Sequence, residues 1–448
     1  MHLCRPVFIV LVSLSAVCSC TGMSTPAPQT NPPAVEVSAP APPALPTPEQ
    51  TPETPAPVQP ATACTQTIDV AALAQAYNAF GLNLFQTIAK PTPSQNVFMS
   101  PLSVACALAM TYNGAYADTA TAMADVLQVP AINLEAFNSA NGDLRTALSS
   151  DAAEALLSIA NSLWVDENIT FRDAFVAATR AAYDAKLGEV DFLAPGTLNT
   201  INGWVAEATH NKITNLVKKD DLTADTLCIL INAVYFKGLW ETQFKVSETR
   251  DLDFTLPDGT DVKHPLMARY GSFAYMETPE FQAVGLPYRG GKLRMQVFLP
   301  ARKRDLATFL ATLTPENWRT WQQSFQSREG TVMLPRFKSE YECELTQPLS
   351  QLGMAVAFDR DAGDFRCMAI CRERIVIDKV RHKAFVEVNE EGTEAAAATS
   401  VGMMRVTSVM PEEPFSMIVD RPFFYAITDT QHGALIFTGI MNDPRMKK

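Results

Sequence analysis

The sequence predicts an α+β fold, because helical and extended patterns are mixed along the chain without the regular strand–helix alternation of a parallel α/β fold. Apolar residues first recur at helical spacing, at Val70, Leu73, Tyr77, Phe80, Leu84 and Ile88. Residues 227–236 instead form a continuous apolar run, which indicates a strand in the middle of a sheet that is covered on both faces. We find no internal repeat.

The other predicted elements follow in chain order. A mostly buried helix over 103–115 is opened by Pro101, and an alternating strand covers 158–165. A longer helix covers 199–217, with Asn199 or Thr200 as its N-cap. The remaining elements are strands over 293–299, 331–337, 374–388 and 434–440, and a short helix over 347–352.

Composition excludes several functional classes. The chain has 448 residues, of which 47% are hydrophobic, so it can bury a large core, and its length alone suggests two or three domains. The net charge of −12 argues against nucleic acid as a partner. No Gly-x-Ser-x-Gly or His-Glu-x-x-His motif and no zinc-like cysteine pairing occurs. We therefore expect a protein that is not an enzyme and needs no metal or cofactor.

The N-terminal segment predicts export. The apolar run over 7–14 follows His2 and Arg5, and Val-Cys-Ser-Cys at 17–20 resembles a bacterial lipobox. We expect residues 1–19 to be a signal peptide and Cys20 to carry lipid, with an ordinary secretory signal as the alternative. Residues 20–62 form a tether, since 13 prolines between 23 and 60 favour an extended chain. The domain over 63–448 would then lie outside the cell, anchored to the outer face of a bacterial membrane.

Nine cysteines give no disulfide framework. Cys106 and Cys228 lie in apolar runs and are expected to be small buried hydrophobes. Cys367 and Cys371 are four residues apart. In an oxidising compartment they could form a disulfide bridge or stay as two free thiols, and the sequence leaves both alternatives open.

Residues 387–401 are the most informative stretch, because they suit two conformations. Ala395 to Ala398 favour a helix, yet Gly392 precedes them and the β-branched Thr399 and Val401 favour a strand. No proline is present and the side chains after Glu394 are small, so every N–H could join a ladder. Such a segment can be a loop in one state and a buried strand in another.

This segment resembles the hinge of a serpin reactive-centre loop. Seven other blocks resemble the family in order and spacing: 96–103 (Asn-Val-Phe-Met-Ser-Pro-Leu-Ser), 201–205, 232–240 (Asn-Ala-Val-Tyr-Phe-Lys-Gly-Leu-Trp), 335–338, 352–354, 382–385 and 420–424. The resemblance covers residues 66–445. It implies a monomeric serpin fold in one domain, with three β-sheets, eight or nine helices and an exposed reactive-centre loop at about 390–418.

The resemblance also implies the function. In inhibitory serpins a serine protease cleaves the loop, the hinge inserts into the main sheet and the acylated protease is trapped. The implied hinge is Glu390, Glu391, Gly392, Thr393, Glu394, Ala395, Ala396, Ala397, Ala398 and Thr399. The implied sheet-opening region is Ser100, Ser103, Asn232, Trp240, Arg336 and His382. Arg336 and Glu390 match a charge pair of the family, and an exposed pair of this type would contribute little.

Strand alternation orients the hinge if it inserts. Thr393, Ala395, Ala397 and Thr399 would share the face toward the core. Glu394, Ala396 and Ala398 would point the other way.

The cleaved bond follows from the family's usual spacing, fourteen residues beyond the hinge glycine. Counting from Gly392 selects Val406–Thr407, which suits elastase-like or subtilisin-like proteases. A register one residue shorter selects Arg405–Val406 and trypsin-like proteases. Cysteine proteases stay open as a further class of target.

Two other functions remain open at this point. A non-inhibitory serpin would be cleaved without trapping the protease or would bind a ligand. A surface adhesion or structural protein could use the same fold and tether. The hinge, with its small residues and no proline, favours the inhibitor.

Overall fold

The structure, a computed structural model, describes residues 66–129, 132–148, 155–371, 374–393 and 413–445. Within these residues it contains nine α-helices and three β-sheets, which confirms the predicted fold class. No helix among them is long and apolar enough to cross a membrane. The helices are α1 (Val70–Ala89), α2 (Pro101–Tyr112), α3 (Ala117–Val126), α4 (Leu134–Leu148), α5 (Asp173–Tyr183), α6 (Thr197–Ala208), α7 (Leu306–Ala311), α8 (Pro315–Ser324) and α9 (Thr346–Leu349).

Seventeen strands build the sheets within the described ranges. They are β1 (Val97–Met99), β2 (Ala155–Asp166), β3 (Thr170–Phe171), β4 (Lys186–Val190), β5 (Cys228–Leu239), β6 (Arg250–Thr255), β7 (Asp261–Glu277), β8 (Phe281–Pro287), β9 (Leu293–Pro300), β10 (Gln326–Pro335), β11 (Phe337–Glu344), β12 (Ala369–Ile370), β13 (Lys379–Val388), β14 (Gly392–Thr393), β15 (Phe415–Ile418), β16 (Phe423–Asp429) and β17 (Leu435–Met441).

The sheets have nine, six and two strands. The nine-stranded sheet has the order β1-β17-β16-β9-β8-β7-β10-β15, with β6 also paired to β7. The six-stranded sheet has the order β11-β13-β14-β5-β2-β4, and β13 also pairs directly with β5. The small sheet joins β12 to β3.

Strand β5 is covered on both faces, as its continuous apolar sequence predicts. Leu230 and Val234 belong to the main core, to which both large sheets and the helices α1, α2 and α4 contribute. The alternate residues Ile229 and Ile231 pack instead against α6, in a second apolar cluster that includes Val205. Alternate side chains of a strand point to opposite faces, so a strand buried on both sides needs apolar residues throughout.

Local sequence explains how the first two helices begin. The Asp69 carboxylate caps α1 by accepting the N–H of Ala72 at 2.7 Å. The Ser100 hydroxyl caps α2 by accepting the N–H of Ser103 at 3.2 Å, and Pro101 occupies the first turn. The cap at Ser100 also fixes the position of residues that belong to the candidate site.

The predicted helix over 199–217 is wrong at its C-terminal half. Helix α6 spans only Thr197–Ala208, because His210 and Asn211 adopt left-handed backbone angles with φ of 51° and 61°. Beyond that turn the Asn202 side-chain oxygen accepts the N–H groups of Leu216 and Val217, both at 2.9 Å. Ile213, Leu216 and Val217, which extended the helical pattern, belong to this irregular segment and are buried in the second apolar cluster.

Two predicted strands also have different bounds. The strand over 331–337 is divided at Arg336 into β10 and β11, which belong to different sheets. The strand over 374–388 begins only at Lys379.

Candidate functional site

The candidate site lies where two parallel strands of the six-stranded sheet meet. Residues Lys379–Phe385 of β13 pair directly with Ile229–Tyr235 of β5, and we call this paired region the seam. Beyond the seam the strands part, and the two residues of β14 lie between them. Thr393 pairs with Val388 on one side and Gly238 on the other, antiparallel to both strands. The chain thus turns back after β13 and enters the sheet.

A tight turn at residues 389–392 positions this entry. The Asn389 side-chain oxygen accepts the N–H groups of Glu391 and Gly392 at 3.0 and 3.2 Å. The Trp240 indole donates to the Asn389 carbonyl at 2.9 Å, and the Trp240 backbone N–H donates to the Glu391 carbonyl at 2.9 Å. Trp240 therefore holds the turn from both its side chain and its backbone.

Thr393 is fully buried over an aromatic pair. Its hydroxyl lies 2.7 Å from the hydroxyl of Tyr288, and the Tyr288 ring stacks on Trp240 with centroids 4.7 Å apart. Burial raises the pKa of the Tyr288 hydroxyl well above its ordinary value, so this group stays protonated. The space around Thr393 therefore admits one small side chain that can form a hydrogen bond.

Gly392 allows the entry because the backbone of β5 passes very close to it. A Cβ atom there would lie 2.1 Å from the Gly238 carbonyl oxygen and 2.7 Å from the Cα of Leu239.

We expect Gly392→Val to displace β14 from the sheet and to lower the free energy of unfolding by about 1–3 kcal/mol. Thermal unfolding measures the loss of stability, and hydrogen–deuterium exchange at residues 389–393 measures the displacement. Gly203→Ala, on an open part of α6, is the control. Unchanged exchange at 389–393 would contradict the expectation.

Glu390 is buried against Arg336, whose own side chain is 40% exposed, which corrects the expectation of an exposed charge pair for the carboxylate. The Glu390 side chain is only 5% exposed, and the Arg336 Nε donates to both of its oxygens at 2.8 and 2.9 Å. Thr249 also donates its hydroxyl to the carboxylate. Burial alone would raise the pKa of Glu390, but the hydrogen bonds from Arg336 and Thr249 outweigh it and the pKa lies below its ordinary value.

A second set of polar residues lies beneath the middle of the seam. His382 and Asn232 are direct partners across it, and His382 Nδ1 lies 2.6 Å from Asn232 Oδ1. His382 Nε2 accepts the Ser100 N–H at 3.2 Å. Because Nε2 accepts, Nδ1 carries the proton and donates to Asn232.

Asn232 extends this seam cluster, which comprises Ser100, Ser103, Asn161, Asn232 and His382. Its amide nitrogen donates to the Ser103 carbonyl at 3.0 Å, to Asn161 at 2.6 Å and to the Ser103 hydroxyl. Burial lowers the pKa of His382 to about 3, so its ring is neutral at neutral pH. Both ring nitrogens are already engaged, and the Ser100 hydroxyl donates to the Ile436 carbonyl at 2.6 Å. The cluster thus joins β13, β5 and α2 through neutral hydrogen bonds.

The structure divides the predicted sheet-opening residues into two groups. Trp240 and Arg336 belong to an entry cluster, together with Tyr288, Glu390 and Thr393, whereas Ser100, Ser103, Asn232 and His382 lie in the seam cluster. Asn232 and Gly238 are six residues apart on β5, so the groups are separated by roughly 20 Å. The predicted residues Glu394 to Thr399, Arg405 to Thr407 and Cys20 lie outside the described residues.

Tyr288, Thr249 and Asn161 are functional-site residues that were not predicted from the sequence. Asn161 carried a signal, since it is a polar residue inside a strand that is otherwise largely apolar. Tyr288 directly follows β8, and Thr249 directly follows a short helical turn at Val246–Glu248. The sequence around each of them has no pattern that would mark it as part of a site. Cys367 has a free thiol in the structure, so the bridge to Cys371 is not formed.

Comparison with known proteins gives a consistent result. Residues 75–444 match the family model described as Serpin (serine protease inhibitor). The chain is 36% identical over 383 residues to a leukocyte elastase inhibitor of Bos taurus, with 83% of this chain and 99% of that protein covered. It is 35% identical over 388 residues to Serpin B6 of Macaca fascicularis, with the same coverage.

Solved structures agree with the sequence relatives. A thermophilic serpin, tengpin, in the native state matches with a TM-score of 0.77 and 28% identity, covering 84% of this chain and 95% of that one. Native protease nexin-1 with heparin matches with a TM-score of 0.76 and 26% identity, covering 84% of this chain and all of the other.

Proposed function

This chain belongs to the serpin family, and we propose that it inhibits serine proteases irreversibly as a suicide substrate. Its relatives include leukocyte elastase inhibitors, which supports protease inhibition as the general activity. The finer proposal has three steps: cleavage of the reactive-centre loop, insertion of the hinge along the seam, and trapping of the acylated protease before water releases it.

The position of β14 carries this proposal. Thr393 already pairs with both β13 and β5, so the next residues could extend the same strand into the seam. In this register Thr399 would come directly between Asn232 and His382, six residues along each strand. Its hydroxyl would lie where the 2.6 Å contact between Asn232 and His382 must break, and could bond to either side chain.

The register also fits the length of the strand that would form. Ten residues beyond Thr393, Met403 would lie opposite Cys228, the first residue of β5. Gly392 to Met403 would therefore fill the whole of β5, and both candidate bonds lie beyond this point. Cleavage at either bond would leave enough chain for complete insertion.

Insertion could supply the energy needed to trap a protease. The new strand would make main-chain hydrogen bonds to both neighbours, each worth about 0.5–1.5 kcal/mol net, and would bury hinge side chains. A typical protein is stable by only about 5–15 kcal/mol, so a strand of this length can distort a protease that is attached to it. The chain before cleavage must then be metastable, because the better-paired sheet is not yet formed.

The chemistry belongs to the protease. Its serine attacks a loop carbonyl, the peptide bond breaks, and the new amino terminus leaves while the serine oxygen keeps the acyl group. Water would normally hydrolyse this ester. The inhibitor succeeds if insertion is faster than that hydrolysis.

The target class follows from the bond that is cut. Val406–Thr407 suits elastase-like or subtilisin-like proteases, and the naming of several relatives as leukocyte elastase inhibitors supports this choice. Arg405–Val406 would suit trypsin-like proteases, whose specificity pocket carries an acidic residue.

One experiment tests the function and the bond together. Residues 62–448 are mixed with an elastase-like and a trypsin-like protease, and the products are run on denaturing gels. We expect a covalent band of roughly the summed mass, and a released C-terminal peptide whose mass places its first residue at Thr407 or Val406. Complete cleavage without a stable complex would show a non-inhibitory serpin and overturn the proposal.

A further inference from the structure

A group of charged side chains lies at the end of the seam farthest from Thr393, where β5 and β13 begin. Lys379 pairs with Ile229 there, and Arg381 pairs with Ile231. Ile229 and Ile231 pack against α6. Because residues opposite each other on neighbouring strands share a face, Lys379 and Arg381 project from the side of the sheet that carries α6.

Asp221 connects these two cations to the chain that links α6 to β5. It lies in a short helical turn, Lys219–Asp221, and is only 1% exposed. Its carboxylate forms an ion pair with Lys379 at 2.8 Å and another with Arg381. Burial alone would raise the pKa of Asp221, but the hydrogen bonds from Arg381 and Lys379 outweigh it and the pKa lies below its ordinary value. Asp221 therefore stays ionised and holds β13 against the segment that precedes β5.

Asp378 joins the two strands directly. Its carboxylate accepts the N–H groups of Leu227 and Cys228 at 2.7 and 3.0 Å, and its own N–H donates to the Cys228 carbonyl at 3.0 Å. Arg360 donates to the other carboxylate oxygen at 2.7 Å. Asp378 thus closes the seam at the first residue of β5. Together these charged residues form what we call the clasp: Asp221, Arg360, Asp378, Lys379 and Arg381.

The register of β14 places the clasp at the last step of insertion. Extension of that register ten residues beyond Thr393 puts Met403 between Cys228 and Asp378. Residues before Met403 would separate the paired strands of the seam. Met403 itself can enter only when Asp378 releases the two N–H groups that it holds, because the new strand takes its place beside β5.

The ion pairs of Asp221 must also break when the strand is completed. Neighbouring strands lie about 4.8 Å apart, so a strand that enters between β5 and β13 roughly doubles their separation. Asp221 is tied to β5 by its position only seven residues before Cys228, whereas Lys379 and Arg381 belong to β13. A contact of 2.8 Å cannot span such a displacement, so the clasp has to open.

We propose that Asp221 and Asp378 are positioning residues that set the rate of the last step of insertion. This inference rests on the proposed function. Before cleavage the clasp holds β5 and β13 together and prolongs the lifetime of the metastable form. After cleavage its opening competes with hydrolysis of the acyl-enzyme. Once the strand is complete the clasp is broken, so its ion pairs no longer contribute to stability.

Asp221→Asn tests this inference through the stability of two forms of the protein. The loop of the full chain is cut with a metalloprotease, which attacks through a metal-bound water and forms no acyl-enzyme, so the cut chain is released. We expect the variant to lower the unfolding temperature of the uncut chain by about 3 °C or more and to leave that of the cut chain within about 1 °C. A merely structural role would lower both temperatures alike.

The rate of insertion is measured on the uncut chain. Residues 404–414 can span about 40 Å, and the inserted strand from Thr393 to Met403 would be about 33 Å long, so the intact loop is long enough to enter the sheet. The protein is warmed below its unfolding temperature, and the fraction of loops that the metalloprotease can no longer cut is followed with time. We expect this conversion to be about tenfold faster in Asp221→Asn, because a contact that must open before the barrier is absent.

Two further variants distinguish the clasp from a general loss of stability. Asp364→Asn removes a carboxylate that is 16% exposed and pairs with Arg366 in the loop before β12. It should lower both unfolding temperatures alike and change the conversion rate by less than about twofold. Lys379→Gln leaves Asp221 paired with Arg381 and should act like Asp221→Asn but more weakly. It provides the test if Asp221→Asn does not fold.

The outcomes separate this inference from the proposed function. If no serine protease forms a covalent complex, the proposed function fails, and a selective effect of Asp221→Asn on the uncut chain would still support the clasp. If Asp221→Asn and Lys379→Gln lower both unfolding temperatures alike and leave the conversion rate within about twofold, the clasp does not control insertion. The inference is then overturned, whereas covalent trapping by the original protein would leave the proposed function standing.

Discussion

Thr393→Arg is expected to convert the inhibitor into a substrate, raising the number of molecules consumed per protease inhibited from near one to ten or more. Thr393 is fully buried, and its hydroxyl lies 2.7 Å from that of Tyr288. An arginine would have to place its charge against the buried Tyr288–Trp240 pair, at a cost of several kcal/mol. Insertion then becomes slower than hydrolysis of the acyl-enzyme, and the protease is released. Titration of protease activity against inhibitor concentration measures this number directly.

Two matched variants show whether burial of residue 393 is the cause. Thr393→Ser keeps the hydroxyl and the small size, and should retain inhibition at near-equimolar ratio. Glu394→Arg places the same arginine one residue later, where strand alternation directs it to the opposite face, and should have a much smaller effect. Full covalent inhibition by Thr393→Arg would refute insertion of the hinge in the register seen for β14.

Acidification is expected to destabilise the protein strongly through His382. Burial lowers the pKa of His382 to about 3, whereas an unfolded histidine has a pKa near 6.5. Between these values the unfolded chain binds a proton that the folded chain does not, so stability falls as the pH falls through this window. At about 1.4 kcal/mol per pH unit, the free energy of unfolding should drop by about 2.5 kcal/mol between pH 7 and pH 4.5. Denaturant titrations across this range measure the drop.

His382→Gln isolates this contribution. Glutamine cannot be protonated in this range, so the variant keeps the acid sensitivity of other groups, including Glu390 and Asp221, whose pKa values also lie below their ordinary values. We expect the variant to be less stable at pH 7, because Ser100 and Asn232 lose well-placed partners. The difference in the free energy of unfolding between the original protein and the variant should then be smaller by about 2.5 kcal/mol at pH 4.5 than at pH 7. A gap that stays constant with pH would show that His382 does not titrate as its burial implies.

Hydrophobic periodicity predicted an element correctly where the burial of apolar residues controlled the local structure. Helix α1 follows its apolar spacing from Val70 to Ile88, and β5 follows its continuous apolar run. The predicted helix over 199–217 failed because periodicity cannot detect a backbone that turns left-handed at His210 and Asn211. The strand over 331–337 failed at Arg336 because an unbroken extended pattern does not reveal that the chain passes from one sheet to another.

Site prediction met the same limit. The hinge and the residues of the seam cluster could be named through the family resemblance, but their separation into two clusters roughly 20 Å apart along β5 could not. Tyr288 is 105 residues from Thr393 in sequence, and only folding brings their hydroxyls together. The burial of Glu390 likewise depends on Thr249 and Arg336, which arrive from other strands and turns.

The sequence by itself determined the α+β class, the family and the stretch able to change conformation. Hydrophobic periodicity, small side chains and the absence of proline act between residues close together in the chain, so they can be recognised from the sequence alone. The tertiary structure alone decided that β13 and β5 close directly on each other, that the chain re-enters the sheet at Gly392 and Thr393, and that a neutral His382 holds the seam from beneath. These features arise from close approach of backbone and buried polar groups between distant segments. Their energies depend on distance and desolvation, which a linear pattern does not contain.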